Sequence, residues 1–153
     1  MKAKKKPVKL GKLKDKLWEL TSKYVRLSAA NENGYASCVT CGMTKRWTEL
    51  QAGHFIPQAR GNAVRFDLRN IAVQCYRCNI NLGGNGPEYY PYMLKAHGQA
   101  VIDELRGLAG MSVKFTRADY EDMISDVANR LAELAEGDVR DNPGTRWALM
   151  NLS

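Results

Sequence analysis

The arrangement of the four cysteines constrains this chain more than any other feature. They form two Cys-x-x-Cys pairs that are separated by 33 residues, Cys38 with Cys41 and Cys75 with Cys78. Zinc takes four ligands at tetrahedral corners, and each such turn can supply two adjacent corners. The pattern predicts a structural Zn²⁺ site. A redox dithiol and buried free thiols are the alternatives, although thioredoxin-like chemistry requires a βαβ unit that the pattern lacks.

Length and targeting signals limit the class of protein. A chain of 153 residues fits one domain. The sequence has no run of about 18 apolar residues, so no membrane span is expected. No apolar segment follows the basic N-terminus, as a secretory signal requires. The expected compartment is a reducing cytoplasm, where such cysteine pairs bind metal more often than they form disulfides.

Positive charge is concentrated at the N-terminus. The formal net charge is +7, and residues 1–30 carry ten Lys or Arg against two Asp or Glu. Such a cluster attracts a polyanion at long range, and salt weakens the attraction. A solvated, solubilising tail is the alternative. The residues predicted to contact DNA are Lys4, Lys5, Lys6, Lys9 and Lys12.

Hydrophobic periodicity and helix-end signals outline the organisation of the chain. Residues 1–9 are predicted to be a basic disordered tail, residues 10–136 one folded domain, and residues 137–153 a C-terminal tail. Helical spacing and end signals predict four helices, over residues 10–30, 87–97, 99–108 and 116–136. Gly137 is expected to end the last helix. Short strands are predicted near residues 46–50 and 71–74.

The first predicted helix carries a narrow apolar stripe with a period of about 3.5 residues. Two interpretations remain open: the stripe forms the seam of a homodimer, or it packs on the C-terminal helices of its own chain. The stripe consists of Leu10, Leu13, Leu17, Leu20, Tyr24 and Leu27.

His54 lies between the two cysteine pairs and has informative neighbours. Gly53 precedes it, Asn70 follows 16 residues later, and Asn79 comes directly after the last cysteine. A lone histidine is more often structural than catalytic, but this combination is typical of a metal-dependent nuclease. Histidine can take a proton from water near neutral pH. A divalent ion held by oxygen ligands can stabilise charge on a phosphate.

Several short motifs carry a resemblance to a known family. They are Trp18, YVRL (24–27), CVTCG (38–42), QAGHF (51–55), LRNI (68–71), QCYRCN (74–79) and GN (84–85). Together they resemble the HNH (His-Me finger, ββα-metal) nucleases and, more closely, the NinG/Rap family of phage recombination endonucleases. The resemblance covers roughly residues 15–136.

The resemblance implies both a fold and an activity. The fold is α+β, with a zinc-braced ββα-metal core between an N-terminal helix and C-terminal helices. The activity is structure-selective cleavage of branched DNA, such as Holliday junctions and D-loops, in the host cell cytoplasm. A two-fold pair of active sites would suit such a substrate, which is consistent with the homodimer interpretation.

The resemblance also implies residue roles. His54 would be the general base, Asn70 would orient the imidazole or brace the loop, and Asn79 would bind a catalytic Mg²⁺ or Mn²⁺. The four cysteines would hold structural Zn²⁺. Many HNH nucleases have a metal-binding Asp where this chain has Gly53, so the second protein ligand is open. Its candidates are Asp67, Asn81, Asn85 or a backbone carbonyl.

Other residues near the predicted site allow two interpretations each. Four arginines flank the site and would contact DNA or lie on an ordinary surface: Arg60, Arg65, Arg69 and Arg77. Three tyrosines would stack on unpaired bases or pack in the core: Tyr89, Tyr90 and Tyr92. Two other functions also fit the sequence, a non-catalytic zinc-ribbon DNA-binding module and a sequence-specific HNH endonuclease.

Overall fold

Helices precede and follow two short antiparallel sheets along the chain. The computed structural model describes residues 3–141, and the side chains of residues 3–136. The helices are α1 (Leu10–Ala29), α2 (Asn62–Arg65), α3 (Gly86–Ala96), α4 (Gln99–Leu108) and α5 (Arg117–Asp141). The strands are β1 (Tyr35–Ser37), β2 (Thr44–Arg46), β3 (Gln51–His54) and β4 (Ile71–Gln74). The predicted α+β class is confirmed.

The two sheets bring the cysteine pairs together. Strands β1 and β2 form one antiparallel pair, and β3 and β4 form the other, with Gln51 opposite Gln74 and His54 opposite Ile71. One cysteine pair begins directly after β1 and the other directly after β4. The first cysteine turn is bonded to β4, where the Val39 N–H donates to the Val73 carbonyl at 3.0 Å. Strand pairing thus places two turns that are distant in sequence side by side.

The apolar stripe of α1 packs within the chain. Leu17 is buried in a cluster with Tyr120 and Val127 of α5, and most of the stripe is partly buried around it. This arrangement agrees with the intramolecular interpretation, because the face proposed as a dimer seam is already covered. A homodimer itself stays a prediction, and it would require another surface.

A second core forms where α3 and α4 cover β4. Ala72 of β4 lies in a cluster with Tyr89, Met93, Ile102 and Leu105. Tyr89 is fully buried, so the core interpretation of this tyrosine is confirmed. Helices α3 and α4 have nearly the predicted bounds, because strong apolar periodicity and terminal glycines define them.

Two secondary-structure predictions were wrong. The strand expected near residues 46–50 is instead a 3₁₀ turn, Trp47–Glu49, closed where the Arg46 N–H donates to Glu49 Oε2 at 3.3 Å. The last helix does not end at Gly137 but continues to Asp141. A glycine in a helix interior lowers stability by about 1 kcal/mol relative to alanine, which is too little to end a long helix by itself.

The two predicted tails are only partly described. Residues 3–9 are exposed and form neither helix nor strand. Residues 137–141 are helical, and residues 142–153 lie outside the described part of the chain. Among the described helices, none combines the length and the apolar content that a membrane crossing requires.

Candidate metal centre and active site

The four cysteine sulfurs converge in a cluster that fits zinc. All four Sγ atoms lie within 4.8 Å of one another, and those of Cys41 and Cys75 are 3.7 Å apart. Four sulfurs at about 2.3 Å from a tetrahedral Zn²⁺ would be about 3.8 Å apart. Gly42 closes the first turn with φ +78°, where glycine is favoured, and its N–H donates to the Cys38 carbonyl. The cluster could therefore hold a structural zinc.

Polar side chains support the cysteine cluster. The Thr40 hydroxyl accepts from Gln74 Nε2 at 3.1 Å and donates to Cys38 Sγ at 3.2 Å. Asn85 Nδ2 donates to Cys78 Sγ at 3.5 Å. Burial alone raises the pKa of the Cys38 thiol, but hydrogen bonds from Thr40 and from backbone N–H groups lower it to about 6. These hydrogen bonds favour the thiolate of Cys38, the form that binds zinc. A hydrogen bond with the Met43 backbone lowers the pKa of Cys41, but burial and the neighbouring sulfurs raise it, to about 12 overall.

His54 ends β3 and lines an open cleft of about 320 Å³, together with Trp18, Gln58 and Asn79. Its Nε2 lies 2.8 Å from the Arg65 carbonyl oxygen. Because a carbonyl oxygen can only accept, Nε2 must donate and so carries the proton. The neutral ring therefore keeps a lone pair on Nδ1, the nitrogen that can act as a base.

Trp18 of α1 contacts His54, and the sequence did not predict this contact. The two rings are stacked, with centroids 5.0 Å apart and planes 20° from parallel. Burial lowers the pKa of His54 below 6.5, the Arg65 carbonyl raises it, and the Arg65 charge lowers it. The net effect keeps the imidazole neutral at neutral pH. Only the presence of Trp18 among the family-like motifs could have indicated this contact.

Replacing Trp18 should make His54 easier to protonate. In Trp18→Leu the imidazole loses its stacking partner and part of its burial, so we expect its pKa to rise toward 6.5. Trp18→Phe keeps an aromatic ring and should shift the pKa less. The measurement is an NMR titration of the histidine ring protons. The chain has two histidines, so His97→Gln assigns both signals. Equal His54 pKa values in wild type and Trp18→Leu would contradict the prediction.

Asn70 is buried and braces the long loop after β3. Its Oδ1 accepts from the Ile56 N–H at 2.8 Å, and its Nδ2 donates to the carbonyls of Ile56 (2.9 Å) and Val64 (3.0 Å). These bonds match the loop-bracing alternative, whereas the imidazole of His54 is held by Arg65 and Trp18. Asn70 therefore acts on His54 indirectly, by fixing the segment that carries the Arg65 carbonyl.

Asn79 lies in the same cleft as His54 and has a defined amide orientation. It belongs to a short π-helical turn, Arg77–Asn81, that directly follows the second cysteine pair. Its Nδ2 donates to Gln51 Oε1 at 2.7 Å, which leaves Oδ1 as the open oxygen donor. The sequence indicated Asn79 as a ligand but gave Gln51, a residue of the QAGHF motif, no role, because no local signal links two residues 28 positions apart.

Gly53 lies where no side chain can fit. A Cβ placed there would be 1.8 Å from Gln74 Oε1, and Gln74 is fully buried with its Nε2 donating to Thr40 and Gly84. The Gly53 carbonyl also accepts from the buried Tyr89 hydroxyl at 2.8 Å. The packing at this position therefore excludes the aspartate that many HNH nucleases have there.

Gly53→Ala should destabilise the protein. Because Gln74 cannot move without breaking its buried hydrogen bonds, we expect a loss of about 1–3 kcal/mol, as for other overpacked sites. Gly107→Ala is the matched control, since α4 offers its Cβ open space, and it should be neutral or slightly stabilising. Chemical denaturation measures both. Equal unfolding free energies for the two variants would show that Gln74 moves away from the added Cβ at little cost in stability.

The four arginines that were predicted to contact DNA differ in their partners and in their exposure. Arg69 is engaged by Asp67 (2.8 Å) and Glu104 (3.0 Å), so Asp67 is not a free metal ligand and Arg69 is not a free cation. Arg65 lies beside His54, and its charge acts on that ring. Arg60 and Arg77 are exposed. Of the proposed second metal ligands, Asp67 is engaged by Arg69, whereas Asn85 uses only its Nδ2, which donates to Cys78 Sγ. Asn81, Asn85 and a backbone carbonyl therefore stay open as candidates.

Comparison with known proteins places the chain in a family. Residues 1–137 match the family model described as NinG, the bacteriophage lambda NinG protein. The chain is 30% identical over 104 residues to Protein ninG of Escherichia phage lambda and to Protein ninG of Salmonella phage P22, alignments that cover 64% of this chain. It spans about half the length of these curated relatives. No solved structure matches the chain. Because the family model covers nearly all of the described residues, the chain belongs to the NinG family of bacteriophage proteins.

Proposed function

We propose that the chain is a metal-dependent DNA endonuclease that cleaves branched recombination intermediates, such as Holliday junctions and D-loops, in the host cytoplasm. The observation that carries the proposal is His54, whose hydrogen bond and stacking suit a general base at the edge of a cleft. The resemblance of the sequence motifs to the NinG/Rap recombination endonucleases supports a role in recombination. The likeness of QAGHF and QCYRCN to HNH motifs supports a ββα-metal description of β3, β4 and the turn that follows.

The proposed reaction is hydrolysis of one phosphodiester bond. His54 Nδ1 removes a proton from a water molecule while the water oxygen forms a bond to phosphorus. The bond between phosphorus and the leaving sugar oxygen breaks, and that oxygen takes up a proton from solvent. A bound divalent ion would stabilise the charge that develops on the phosphate and on the leaving oxygen. Asn70 keeps the loop rigid and thereby keeps the Arg65 carbonyl in place.

The donors in the cleft determine how a divalent ion would be held. The side-chain oxygens that line it belong to the amides of Gln58 and Asn79, and no carboxylate lines it among the residues the structure describes. Mg²⁺ keeps several waters and often takes ligands from substrate phosphates. The donor set therefore fits an ion that binds together with DNA and only weakly without it.

The charge of the site region supports a polyanionic substrate. Residues 50–87 contain four arginines and one acidic residue, Asp67. That carboxylate is already paired with Arg69. The segment thus carries a net positive charge, which favours the binding of a phosphate backbone.

One cleavage assay tests the proposal. The protein is incubated with a four-way junction, a three-way junction, a D-loop and linear duplex, each with Mg²⁺, with Mn²⁺ or without added metal. We expect metal-dependent cleavage of the branched DNAs and little cleavage of the linear duplex. Cleavage of linear duplex at defined sequences would instead indicate a sequence-specific HNH endonuclease. Binding of DNA with no scission would indicate the zinc-ribbon binding module, which the cysteine cluster also fits.

Removing residues 1–9 should weaken DNA binding without changing its shape preference. The deletion removes five lysines, so affinity should fall for every DNA alike and the dependence of affinity on salt should become less steep. Fluorescence anisotropy over a range of salt concentrations measures both quantities. If the slope of affinity against salt stays the same, the lysines are only a solubilising tail.

A further inference from the structure

Exposed apolar side chains are concentrated beside the candidate active site. Tyr76, Ile80 and Leu82 are 55%, 52% and 46% exposed, and all three lie within seven residues of one another. Arg77 in the same segment is also exposed. We call these four side chains the knuckle surface, because the segment begins inside the second cysteine pair.

The local geometry explains why the knuckle surface points outward. Cys75 and Cys78 are buried in the zinc cluster, and the Cys78 N–H donates to Cys75 Sγ at 3.5 Å. The two residues between them therefore face away from the metal site. In the helical turn that follows, Tyr76 and Ile80 are four positions apart and so share one side. Folding requires this turn but does not require apolar residues on its outer side, where polar residues would be the default.

The knuckle surface is continuous with the cleft that contains His54. Ile80 lines this cleft together with His54 and Asn79. Residues 68–87 contain no acidic residue but include two arginines. A partner at this surface would therefore meet apolar side chains, an exposed cation and the candidate active site together.

We propose that the knuckle surface binds unpaired DNA bases at a branch point, beside the phosphate that is cleaved. Apolar and aromatic side chains stack on or between exposed bases, and arginine contacts the neighbouring phosphate. The proposal rests on the endonuclease function above and names the feature of the substrate that the same site recognises. Tyr89 cannot stack on a base, because its side chain is fully buried and its hydroxyl donates to the Gly53 carbonyl. The residues of the knuckle surface take that role in this proposal.

The test compares the binding of two DNAs without added Mg²⁺ or chelator, so that zinc is retained and no cleavage occurs. One DNA is a linear duplex, and the other is a three-way junction with two unpaired thymines at the branch. Tyr76→Ser and Ile80→Ser should each weaken junction binding about 5- to 150-fold, the loss expected for one stacked base, and leave duplex binding unchanged. Arg77→Gln should weaken both DNAs alike, because a phosphate contact does not depend on base pairing.

Met111→Ser is the matched control, because this methionine is 52% exposed and lies outside the segment. It should change neither affinity. The proposal is overturned if Tyr76→Ser and Ile80→Ser leave junction binding intact, or if they weaken both DNAs equally. It is also overturned if they leave DNA binding intact and instead abolish self-association. If the wild-type protein cleaves no DNA in Mg²⁺ but shows the predicted binding pattern, the endonuclease function fails while the base-binding surface stands.

Discussion

His54→Ala should reduce the cleavage rate about 10²- to 10⁴-fold, the range typical of losing a general base. Among the described residues that line the cleft, His54 is the only one with a titratable side chain, and its orientation is set by the Arg65 carbonyl. The measurement is single-turnover cleavage of the DNA that the wild-type protein cuts fastest. DNA affinity should stay near that of wild type, because the proposed DNA contacts lie on other residues.

Two controls accompany this experiment. His97→Ala removes an exposed histidine at the end of α3 and should leave the rate unchanged. In the wild-type protein, protonation of His54 should inactivate the base. Because burial keeps its pKa below 6.5, the pH at which the rate falls to half of its neutral value should lie below 6.5. A His54→Ala variant that retains more than half of the wild-type rate would eliminate this residue as the base.

Cys75→Ser should unfold the part of the protein that carries the site. Structural zinc contributes about 10–16 kcal/mol of apparent binding free energy in zinc-finger peptides, as much as a whole domain's typical stability of about 5–15 kcal/mol. Cys75 is buried between the sheets with three other sulfurs nearby, so serine at this position should release the metal. Zinc analysis and thermal unfolding followed by circular dichroism measure the effect.

Asn79→Ala is the matched control for the cysteine variant. It follows the same cysteine pair but donates to Gln51 and not to a sulfur, so zinc content and unfolding temperature should stay close to wild type. Metal-dependent cleavage should nevertheless slow, since the variant removes the Asn79 amide oxygen, one of the two that line the cleft among the described residues. Purified wild-type protein that contains no zinc, yet unfolds cooperatively, would contradict the assignment of the cysteine cluster.

The sequence predicted the helices and the cysteine cluster well for a physical reason. Helical periodicity is a local property, and α4 was predicted with its observed bounds, Gln99–Leu108. The last helix was predicted to begin near residue 116, and α5 begins at Arg117, where the Thr116 N–H donates to Asp119 Oδ2 at 2.8 Å. The Cys-x-x-Cys spacing is also a local property, because two residues between the cysteines let one turn supply two ligands to the same ion.

The features that the sequence did not predict depend on tertiary contacts. Periodicity showed that α1 has an apolar face, but it could not distinguish α5 from a second copy of the chain as the partner of that face. Strands β1 and β3 are only three and four residues long, too short for a clear alternating pattern. The stacking of Trp18 on His54 joins residues 36 positions apart, and no local signal encodes it.

The hydrogen bond that sets the His54 tautomer has an evolutionary consequence. Its acceptor is the main-chain carbonyl of residue 65, which every amino acid possesses. A histidine oriented by a carboxylate side chain can lose its partner through a single codon change, whereas this one cannot. The side chain at position 65 can therefore change without removing the acceptor of this hydrogen bond. A substitution that breaks this hydrogen bond without replacing His54 must instead alter the path of the loop, which Asn70 braces.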